Sequence, residues 1–342
     1  MATGGAAGDA PNASVSLSDQ LRSASPEYLI LVALAALGFL VLLRALSRFL
    51  RGIWCVFLRP GKNLSHYGKW AVVTGCTDGI GRGFALELAR KKLSVVLISR
   101  NQTKLVELAQ EIESKYKVET RVLAVDFTEG GELQSIIDRV EATLSDLDVG
   151  ILINNVGLSY PHAQYLNELD VMLIGDLIRV NVEVTTRLTR SVIPGMLKKR
   201  RGAIVNVGSG AATVLPSDPL YAVYAGTKGF VDQFSRTLAV EYKQWGIDVQ
   251  CQAPLYVATK MSKIRKSSLT CPSANVYARS ALKAIGYESR VTPYWAHAIM
   301  WWIVASLPEQ VMDTIRLKQN LGIRKKALNK HAQKKIGEKK SS

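Results

Sequence analysis

The sequence has few cysteines and no cysteine motif. Its 342 residues include four of them: Cys55, Cys76, Cys251 and Cys271. No two are spaced as CxxC, which excludes a zinc ribbon, and their number excludes a disulfide-stabilised scaffold. The set suits a reducing compartment, and we expect no metal site.

Internal repeats and Pro/Gly-rich linkers are also missing between residues 70 and 260. The composition is 48% hydrophobic, which excludes a mainly disordered chain. At ~150 residues per domain the length allows two domains, although one α/β domain with tails fits equally well. Without a linker to divide the centre, we expect a single domain there.

Acidic residues are scarce in two segments, one near the N-terminus and one at the C-terminus, and these segments account for most of the net charge of +16. Residues 28–70 hold six Lys/Arg and no acid, and residues 316–342 hold ten Lys/Arg and only Glu338, while residues 71–315 carry only +3. The last segment has no aromatic residue to stack on a base, which disfavours nucleic-acid binding. Attraction to anionic lipid head groups is the simpler use of its charge.

The longest uncharged run is apolar and lies near the N-terminus. Tyr28 to Leu43 spans sixteen residues, ~24 Å as a helix, a little less than the ~27 Å hydrocarbon core of the endoplasmic reticulum (ER) bilayer. Arg44 can snorkel, which extends the helix to Leu46. We therefore expect a transmembrane anchor at 28–46. A cleaved signal peptide is the alternative, but the start is acidic and arginines follow the run.

The charges flanking this run predict its orientation. Residues 1–27 carry −2 and residues 28–70 carry +6, so the positive-inside rule places 1–27 in the lumen as a tail and everything after residue 44 in the cytosol. A basic juxtamembrane linker at 47–65 follows. Lys339 and Lys340, three and four places from the end, resemble the dilysine retrieval signal of ER membrane proteins, although lysine-rich tails often end this way. We expect an ER membrane protein whose main domain lies in the cytosol.

Short apolar runs alternate with helical periodicity from residue 70 onwards. The strand candidates are Trp70–Thr74, Val95–Ser99, Arg121–Val125, Gly150–Ile153, Ala203–Val207 and Asp248–Cys251. Strands interleaved with helices predict parallel βαβ units. The expected fold is therefore α/β, a Rossmann-like doubly wound parallel sheet in a single domain, with an N-terminal transmembrane helix.

A glycine-rich segment separates the first strand from the next helix. It reads Thr74-Gly75-Cys76-Thr77-Asp78-Gly79-Ile80-Gly81. Glycines let the backbone turn tightly and approach a pyrophosphate, and a helix N-terminus supplies free N–H groups. The order of strand, glycines and helix predicts a dinucleotide site at Gly75, Thr77, Asp78, Gly79, Ile80 and Gly81.

This TGxxxGxG spacing resembles the short-chain dehydrogenase/reductase family over residues 66–262, the expected NADP-binding domain. Arg100 ends the second strand, where a cation suits the 2′-phosphate of NADP(H) better than the ribose of NAD. By resemblance, Asp126 contacts adenine. Asn154 begins a segment similar to the family's NNAG motif, with Val156 in place of alanine.

Four residues match the family's catalytic set, in its order. Tyr224 and Lys228 form a YxxxK pair on one helix face, where a nearby ammonium favours the phenolate. The resemblance implies that Lys228 binds the nicotinamide ribose, that Ser209 bonds the substrate carbonyl, and that Asn181 holds a relay water. It implies hydride transfer between nicotinamide C4 and a carbonyl carbon, with Tyr224 passing the proton. Tyr221 lacks a basic partner four residues on.

The segment after the sixth strand narrows the substrate. Pro254-Leu255-Tyr256-Val257-Ala258-Thr259-Lys260 has leucine where the family usually has glycine. It resembles the membrane branch of very-long-chain 3-oxoacyl-CoA reductases and 17β-hydroxysteroid dehydrogenases. The Ala/Gly-rich start and the general character of the chain are most similar to plant or algal ketoacyl reductases. Val257 and Thr259 are cofactor contacts by this resemblance. It implies NADPH-dependent reduction of very-long-chain 3-oxoacyl-CoA to 3-hydroxyacyl-CoA in ER fatty-acid elongation.

Alternatives to this function stay open. One is 17-keto steroid reduction, and another is an inactive membrane scaffold of the elongase complex. The implied partners are a long-chain acyl-CoA, the ER membrane, and a condensing enzyme, a dehydratase and an enoyl reductase, with no nucleic acid. Homo-oligomerisation is left open.

The C-terminal region is expected to contain an extension at 263–315 associated with substrate or membrane, and a basic cytosolic tail at 316–342. Residues 294–307 are apolar and aromatic but too few to span a bilayer comfortably. They lie at the membrane interface, line an acyl tunnel, or pack on the core. His297 has no partner pattern, and we interpret it as structural.

Overall fold

A computed structural model describes residues 25–341 of the chain, without the side chains of residues 331 and 334–341. The expected lumenal tail therefore lies, up to residue 24, outside the described residues. The chain divides into two compact units, one ending at Arg59 and the other beginning at Pro60. Each is described by itself.

The first unit is one long helix, α1 (Pro26–Ile53), continued by a π-helical turn at Trp54–Leu58. Ser25 caps it by accepting a hydrogen bond from the backbone N–H of Tyr28 at 3.4 Å. The stretch Pro26–Leu58 is long and apolar enough to cross a membrane, and none of it is buried. The helix exceeds the predicted 28–46 and occupies part of the predicted linker, because Phe49, Leu50 and Ile53 continue the apolar character between the arginines.

The second unit is built on a parallel sheet of seven strands. These are β1 (Trp70–Thr74), β2 (Ser94–Ser99), β3 (Thr120–Ala124), β4 (Val149–Asn154), β5 (Gly202–Val207), β6 (Ile247–Gln252) and β7 (Arg290–Val291). The six predicted strands are confirmed to within one residue at each end. The order β3-β2-β1-β4-β5-β6-β7 reverses direction between β1 and β4, so the ligand crevice of a doubly wound sheet opens there, at the carboxyl ends of the strands.

Helices cover both faces of the sheet. They are α2 (Gly79–Arg90), α3 (Gln102–Tyr116), α4 (Leu133–Leu144), α5 (Val171–Ile178), α6 (Thr185–Lys199), α7 (Gly210–Thr213), α8 (Ala222–Glu241), α9 (Ala274–Ala284), α10 (Trp295–Ala305) and α11 (Glu309–Ser341). A π-helical turn spans Arg179–Val184, and 3₁₀ turns span Leu64–His66, Leu166–Glu168 and Lys243–Trp245. Alternate residues of β1 enter opposite cores, Ala71 and Val73 on one face and Val72 on the other. The predicted α/β class is confirmed.

The fold has no boundary at residue 262, where the nucleotide domain was expected to end. Beyond it, β7 pairs with β6, and α9 packs on α2 through Tyr277 and its neighbours in the core. The approach is close, since a Cβ built on Gly83 would lie 2.7 Å from the carbonyl oxygen of Ala274. The segment from residue 263 completes the sheet and its helical layer. This could not be predicted from the sequence, because a strand of two residues shows no periodicity.

The expected division between extension and tail is also absent, because α11 runs through residues 315 and 316 without a break. Asn320 is fully buried, and the Arg316 side chain is 12% exposed. The beginning of the basic segment therefore belongs to the folded unit. The side chains of Lys339 and Lys340 lie outside the described part of the chain.

Within residues 294–307, the helix α10 divides by position. Ala296 and His297, near its start, are buried in the domain, while Trp302 and Ile303, near its end, are 71% and 49% exposed. Packing on the core, one of the three alternatives, therefore describes the first turn. The apolar remainder faces outward in this unit.

Candidate active site

The glycine loop between β1 and α2 has the backbone geometry that its sequence predicts. Gly75 and Gly79 adopt positive φ angles of 61° and 54°, which residues other than glycine rarely adopt. A Cβ on Gly81 would collide with the carbonyl oxygen of Gly75 and the side-chain amide of Asn155. Asp78 caps α2 by accepting the Gly79 N–H at 2.7 Å. The glycine loop and the start of α2 therefore form a cradle in which a ligand group can come close to the backbone.

The loop after β6 lies over this cradle. A Cβ on Gly79 would be 3.2 Å from Cγ2 of Thr259, and Lys260 Nζ lies 2.7 Å from a carboxylate oxygen of Asp78. Ser262 closes the loop by donating from Oγ to the carbonyl oxygen of Val257 at 2.7 Å. Partial burial raises the pKa of Asp78, but its bonds to Lys260 and Gly79 outweigh this, and the pKa is lowered. Sequence reasoning missed the Lys260 contact.

The other end of the crevice holds the predicted adenosine contacts. Thr77 Oγ1 and Ser99 Oγ are 2.8 Å apart, joining the glycine loop to the end of β2. Arg100 follows, with its side chain 66% exposed and its Nη1 3.7 Å from an Asp126 carboxylate oxygen. Such a guanidinium keeps donors available for a phosphate. The side chain of Ile80, in contrast, packs against the core, so only its backbone belongs to the cradle.

The prediction for Asn154 is wrong as regards its side chain. Asn154 Nδ2 donates to Thr189 Oγ1 at 3.0 Å and to Asn206 Oδ1 at 2.8 Å, inside the core. Successive strand residues point to opposite faces, so the next residue takes the position at the cradle. Asn155 Nδ2 donates to the carbonyl oxygens of Thr74 at 2.9 Å and Gly75 at 3.2 Å.

The tyrosine and lysine of the YxxxK motif lie one turn apart on α8, facing the end of β5. Ser209, two residues beyond the end of β5, shares a side-chain hydrogen bond with Tyr224. Lys228 is buried, and its Nζ donates to the carbonyl oxygen of Val207 at 2.9 Å. The structure thus brings Ser209, Tyr224 and Lys228 together at the carboxyl edge of the sheet.

Asn181 joins this group from the π-helical turn Arg179–Val184. Its Oδ1 accepts from the Leu158 N–H at 2.8 Å, and its Nδ2 donates to the Leu158 carbonyl and to Thr227 Oγ1, both at 3.0 Å. A Cβ on Gly157 would lie 3.2 Å from Asn181 Oδ1 and 3.4 Å from Lys228 Nζ. Asn181 therefore ties the loop after β4 to the helix that carries the tyrosine and lysine.

Burial shifts the pKa values of Lys228 and Tyr224 in opposite directions. It lowers the pKa of Lys228 to about 8, because the ammonium loses solvation. Burial also raises the pKa of Tyr224, and the hydrogen bond from Ser209 only partly opposes this. The lowering of the tyrosine pKa expected from the nearby lysine is therefore not the dominant effect.

Some neighbours of Tyr224 carry no sequence signal. Asp218 is one of these neighbours: its negative charge helps to raise the pKa of the Tyr224 phenol, yet it belongs to no motif, whereas Tyr256, which acts in the same direction, lies in the segment after the sixth strand. Tyr221 packs against Tyr160 with ring centroids 5.2 Å apart, outside the catalytic group, in line with its dismissal from the sequence. Asp218 is recognisable only from the fold.

His297 is structural, as predicted. It is fully buried, and its Nδ1 accepts from the Leu255 N–H at 3.3 Å. Its Nε2 lies 3.1 Å from the carbonyl oxygen of Tyr256 and 3.2 Å from that of Thr270. These contacts fix a neutral ring with its proton on Nε2, and they tie the loop after β6 to α10.

Residues 69–269 match the profile of the family described as short chain dehydrogenase. The chain is 46% identical to the very-long-chain 3-oxoacyl-CoA reductase-like protein of Arabidopsis thaliana, covering 90% of this chain and 98% of the relative. It is 42% identical to the very-long-chain 3-oxoacyl-CoA reductase of Rattus norvegicus, over 89% and 96%. For the human reductase the identity is 42%, over 77% and 83%.

Solved structures agree on the fold. A short-chain dehydrogenase of Sphingobium yanoikuyae in complex with NADPH has a TM-score of 0.56 at 27% identity, covering 63% of this chain and 83% of that one. A 7β-hydroxysteroid dehydrogenase has a TM-score of 0.65 at 24% identity, covering 75% and 99%. At that identity the second likeness concerns the fold alone.

Proposed function

The chain belongs to the short-chain dehydrogenase family, and we propose that it reduces very-long-chain 3-oxoacyl-CoA to 3-hydroxyacyl-CoA with NADPH during fatty-acid elongation. The protein is an NADP(H)-dependent oxidoreductase, and relatives covering most of the chain are named for the 3-oxoacyl-CoA reaction. The observation that carries the proposal is the meeting of Asn181, Ser209, Tyr224 and Lys228 beside the glycine cradle.

The residues of the crevice fit the dinucleotide. We assign the pyrophosphate to the backbone of Gly75, Gly79, Ile80 and Gly81, where there is no room for a Cβ at the last position. Thr77, Asp78, Val257 and Thr259 shape the same cradle. Arg100 meets the 2′-phosphate and Asp126 the adenine. Bound NADPH supplies a hydride from nicotinamide C4 to the carbonyl carbon.

Each catalytic side chain has a separate task. Ser209 and the Tyr224 hydroxyl hold the substrate carbonyl oxygen, and Tyr224 donates the proton. The Lys228 ammonium, with a pKa near 8, is a stronger acid than the phenol, so it can return a proton to the phenolate. Asn181 fixes the loop at Leu158, and its π-helical turn leaves backbone carbonyls outside the α pattern, where a relay water can bind.

The enzyme assay compares two carbonyl substrates. Microsomes containing the full-length protein are given NADPH with a long-chain 3-oxoacyl-CoA or with estrone. We expect the acyl-CoA to turn over faster, and faster reduction of estrone would overturn the substrate assignment. Tyr224→Phe should lose at least about a hundredfold in kcat while binding NADPH normally. Full activity of this variant would overturn the mechanism.

We further propose that α1 anchors the protein in the ER membrane with the catalytic domain in the cytosol. The apolar helix and the six positive charges in residues 28–70 support this, as does the sequence of Lys339 and Lys340. The substrate's long acyl chain partitions into the same membrane. A condensing enzyme, a dehydratase and an enoyl reductase of elongation are the partners that this position favours.

A further inference from the structure

The first half of α11 packs against the loop that leads into α8. This loop contains Asp218, six residues before Tyr224. Asp218 Oδ1 lies 2.8 Å from Arg316 Nε and accepts a second bond from Asn320 Nδ2 at 2.9 Å. Asn320 Nδ2 also donates to the carbonyl oxygen of Pro219 at 2.7 Å. All three side chains of this cluster, Asp218, Arg316 and Asn320, are buried or nearly so.

Arg316 also reaches the loop after β6. Its Nη1 lies 3.2 Å from the Tyr256 hydroxyl, and its guanidinium carbon lies 5.9 Å from the centroid of the Tyr256 ring. Farther along α11, Arg324 forms a two-pronged pair with Glu168, at 2.6 and 2.5 Å. One helix therefore holds three loops that follow β4, β5 and β6 at the carboxyl edge of the sheet.

The groups that act on the Tyr224 phenol come from several elements. Ser209 forms a side-chain hydrogen bond to it from the loop after β5, and Asp218 acts on it through its charge from the loop before α8. Tyr256 lies on the loop after β6. Tyr221 and Lys228 lie on its own helix. Asp218 alone among the loop residues carries a full negative charge, which disfavours the phenolate. Arg316 neutralises that charge across an ion pair sheltered from water.

We propose that Arg316 is a positioning residue for the proton transfer, acting through Asp218. It offsets the negative charge of Asp218 and fixes the loop that leads into α8, whose first turn is tied to Asp218 by the bond from the Tyr221 N–H to the Asp218 carbonyl oxygen at 3.1 Å, so that the proton donor on that helix keeps its place. The inference rests on the proposed role of Tyr224 as proton donor. It assigns the start of the basic C-terminal segment to the catalytic unit.

The test uses charge variants of the full-length protein in lipid nanodiscs. Arg316→Met leaves Asp218 unpaired, Asp218→Asn leaves Arg316 unpaired, and the double variant removes both charges. Arg316→Lys keeps the charge. Arg324→Met is the matched control, because it breaks another ion pair of the same helix away from Tyr224.

The first readout is the pH dependence of kcat/KM for reduction of 3-oxostearoyl-CoA. Reduction needs a proton from Tyr224 that Lys228 restores, so the alkaline limb reports the two groups as a coupled pair, and the tyrosine by itself is followed by the second readout. We expect Arg316→Met to move this limb to higher pH and to lower kcat about tenfold, with NADPH affinity unchanged. Asp218→Asn should move the limb to lower pH. The double variant, Arg316→Lys and Arg324→Met should leave it near the wild-type position.

The second readout is independent of turnover. In protein labelled with ¹³C at tyrosine Cζ, the Tyr224 resonance is assigned by its loss in Tyr224→Phe, and its titration is followed in each variant. If the wild type fails to reduce 3-oxostearoyl-CoA, the proposed substrate falls while this titration still tests Arg316. Shifts of the same sign in the two single variants, or no shift in either, would overturn the inference. If Arg316→Met does not fold, the Tyr224 titrations of Asp218→Asn and of the double variant are compared, and the direction of the shift between them tests the inference.

Discussion

Tyr224 and Lys228 illustrate how one environment acts differently on an acid and on a cation. Burial disfavours whichever form is charged, so it raises the pKa of the phenol and lowers that of the ammonium to about 8. Burial therefore makes the lysine the readier proton donor of the two, which suits a tyrosine that must be reprotonated after each reduction. Their spacing in the sequence places them together, but the direction of the proton follows from burial.

Arg100 provides a direct test of how the cofactor is chosen. We expect Arg100→Asp to shift the preference from NADPH towards NADH by at least about tenfold in kcat/KM, because a carboxylate repels the 2′-phosphate and suits a free ribose hydroxyl. The ratio of the two kcat/KM values is the measurement. Arg121→Ala, which loses an exposed pair with Asp146, is the control. An unchanged ratio in Arg100→Asp would mean that other residues read the phosphate.

His297 makes the stability of the protein depend on pH. Burial lowers its pKa below the ordinary value of 6.5, against the opposing effect of the backbone bonds. A group of this kind stabilises the fold above pH ~6.5, and the stabilisation is lost as the pH falls, at up to about 1.4 kcal/mol per pH unit. We expect the wild type to lose more thermal stability than His297→Gln between pH 7.5 and about 5.5. Parallel loss in both proteins would contradict this.

At the scale of elements, α9 and β7 show that the nucleotide fold ends later than its motifs do. Tyr277, Leu282 and Ile285 are fully buried among residues of β1, β2 and α2. Removing them would expose side chains worth roughly 2 kcal/mol each, a large part of the 5–15 kcal/mol by which domains of this kind are stable. Gly83 allows the helices to approach this closely.

Two truncations test this boundary. A chain ending at residue 262 should aggregate and bind no NADPH, because it lacks β7 and α9. A chain ending at residue 327 should fold and bind NADPH, because it keeps Arg316, Asn320 and Arg324. Thermal unfolding and NADPH fluorescence are the measurements. A soluble, nucleotide-binding 1–262 fragment would restore the boundary expected from the sequence.

At the scale of the whole molecule, most of the net positive charge lies in segments outside the central part of the catalytic domain. The sequence carries +9 in residues 316–342 and +6 in 28–70, while the intervening catalytic region is nearly balanced. The basic residues of α11 do not all serve the same purpose, since Arg316 and Arg324 form ion pairs within the domain. The remaining basic residues suit an anionic membrane surface.

The orientation of the chain can be measured at its N-terminus. Asn12-Ala-Ser14 is a glycosylation sequon, outside the described residues. We expect the protein made in microsomes to carry a glycan there, removable by endoglycosidase H and absent from Asn12→Gln, because the positive charges retain the other side in the cytosol. An epitope at the C-terminus should be digested by added protease. Protection of that epitope would reverse the topology.

The sequence by itself determined the local and repeating features. Six strands, the glycine loop and the apolar helix were predictable, because strand burial, positive φ angles and membrane length leave signals within a few residues. The order of Asn181, Ser209, Tyr224 and Lys228 likewise marked the family. Such signals depend on the residue and its immediate neighbours.

Only the tertiary structure decided what distant segments do to one another. The strand β7 is too short to show periodicity, and the turn of Asn154 into the core follows from which face of β4 meets α6. Arg316 and Asp218 are nearly a hundred residues apart in the chain, yet they form a buried ion pair on the loop that leads into the helix of Tyr224. No local pattern encodes such a contact, because its energy comes from packing and desolvation that exist only after the chain has folded.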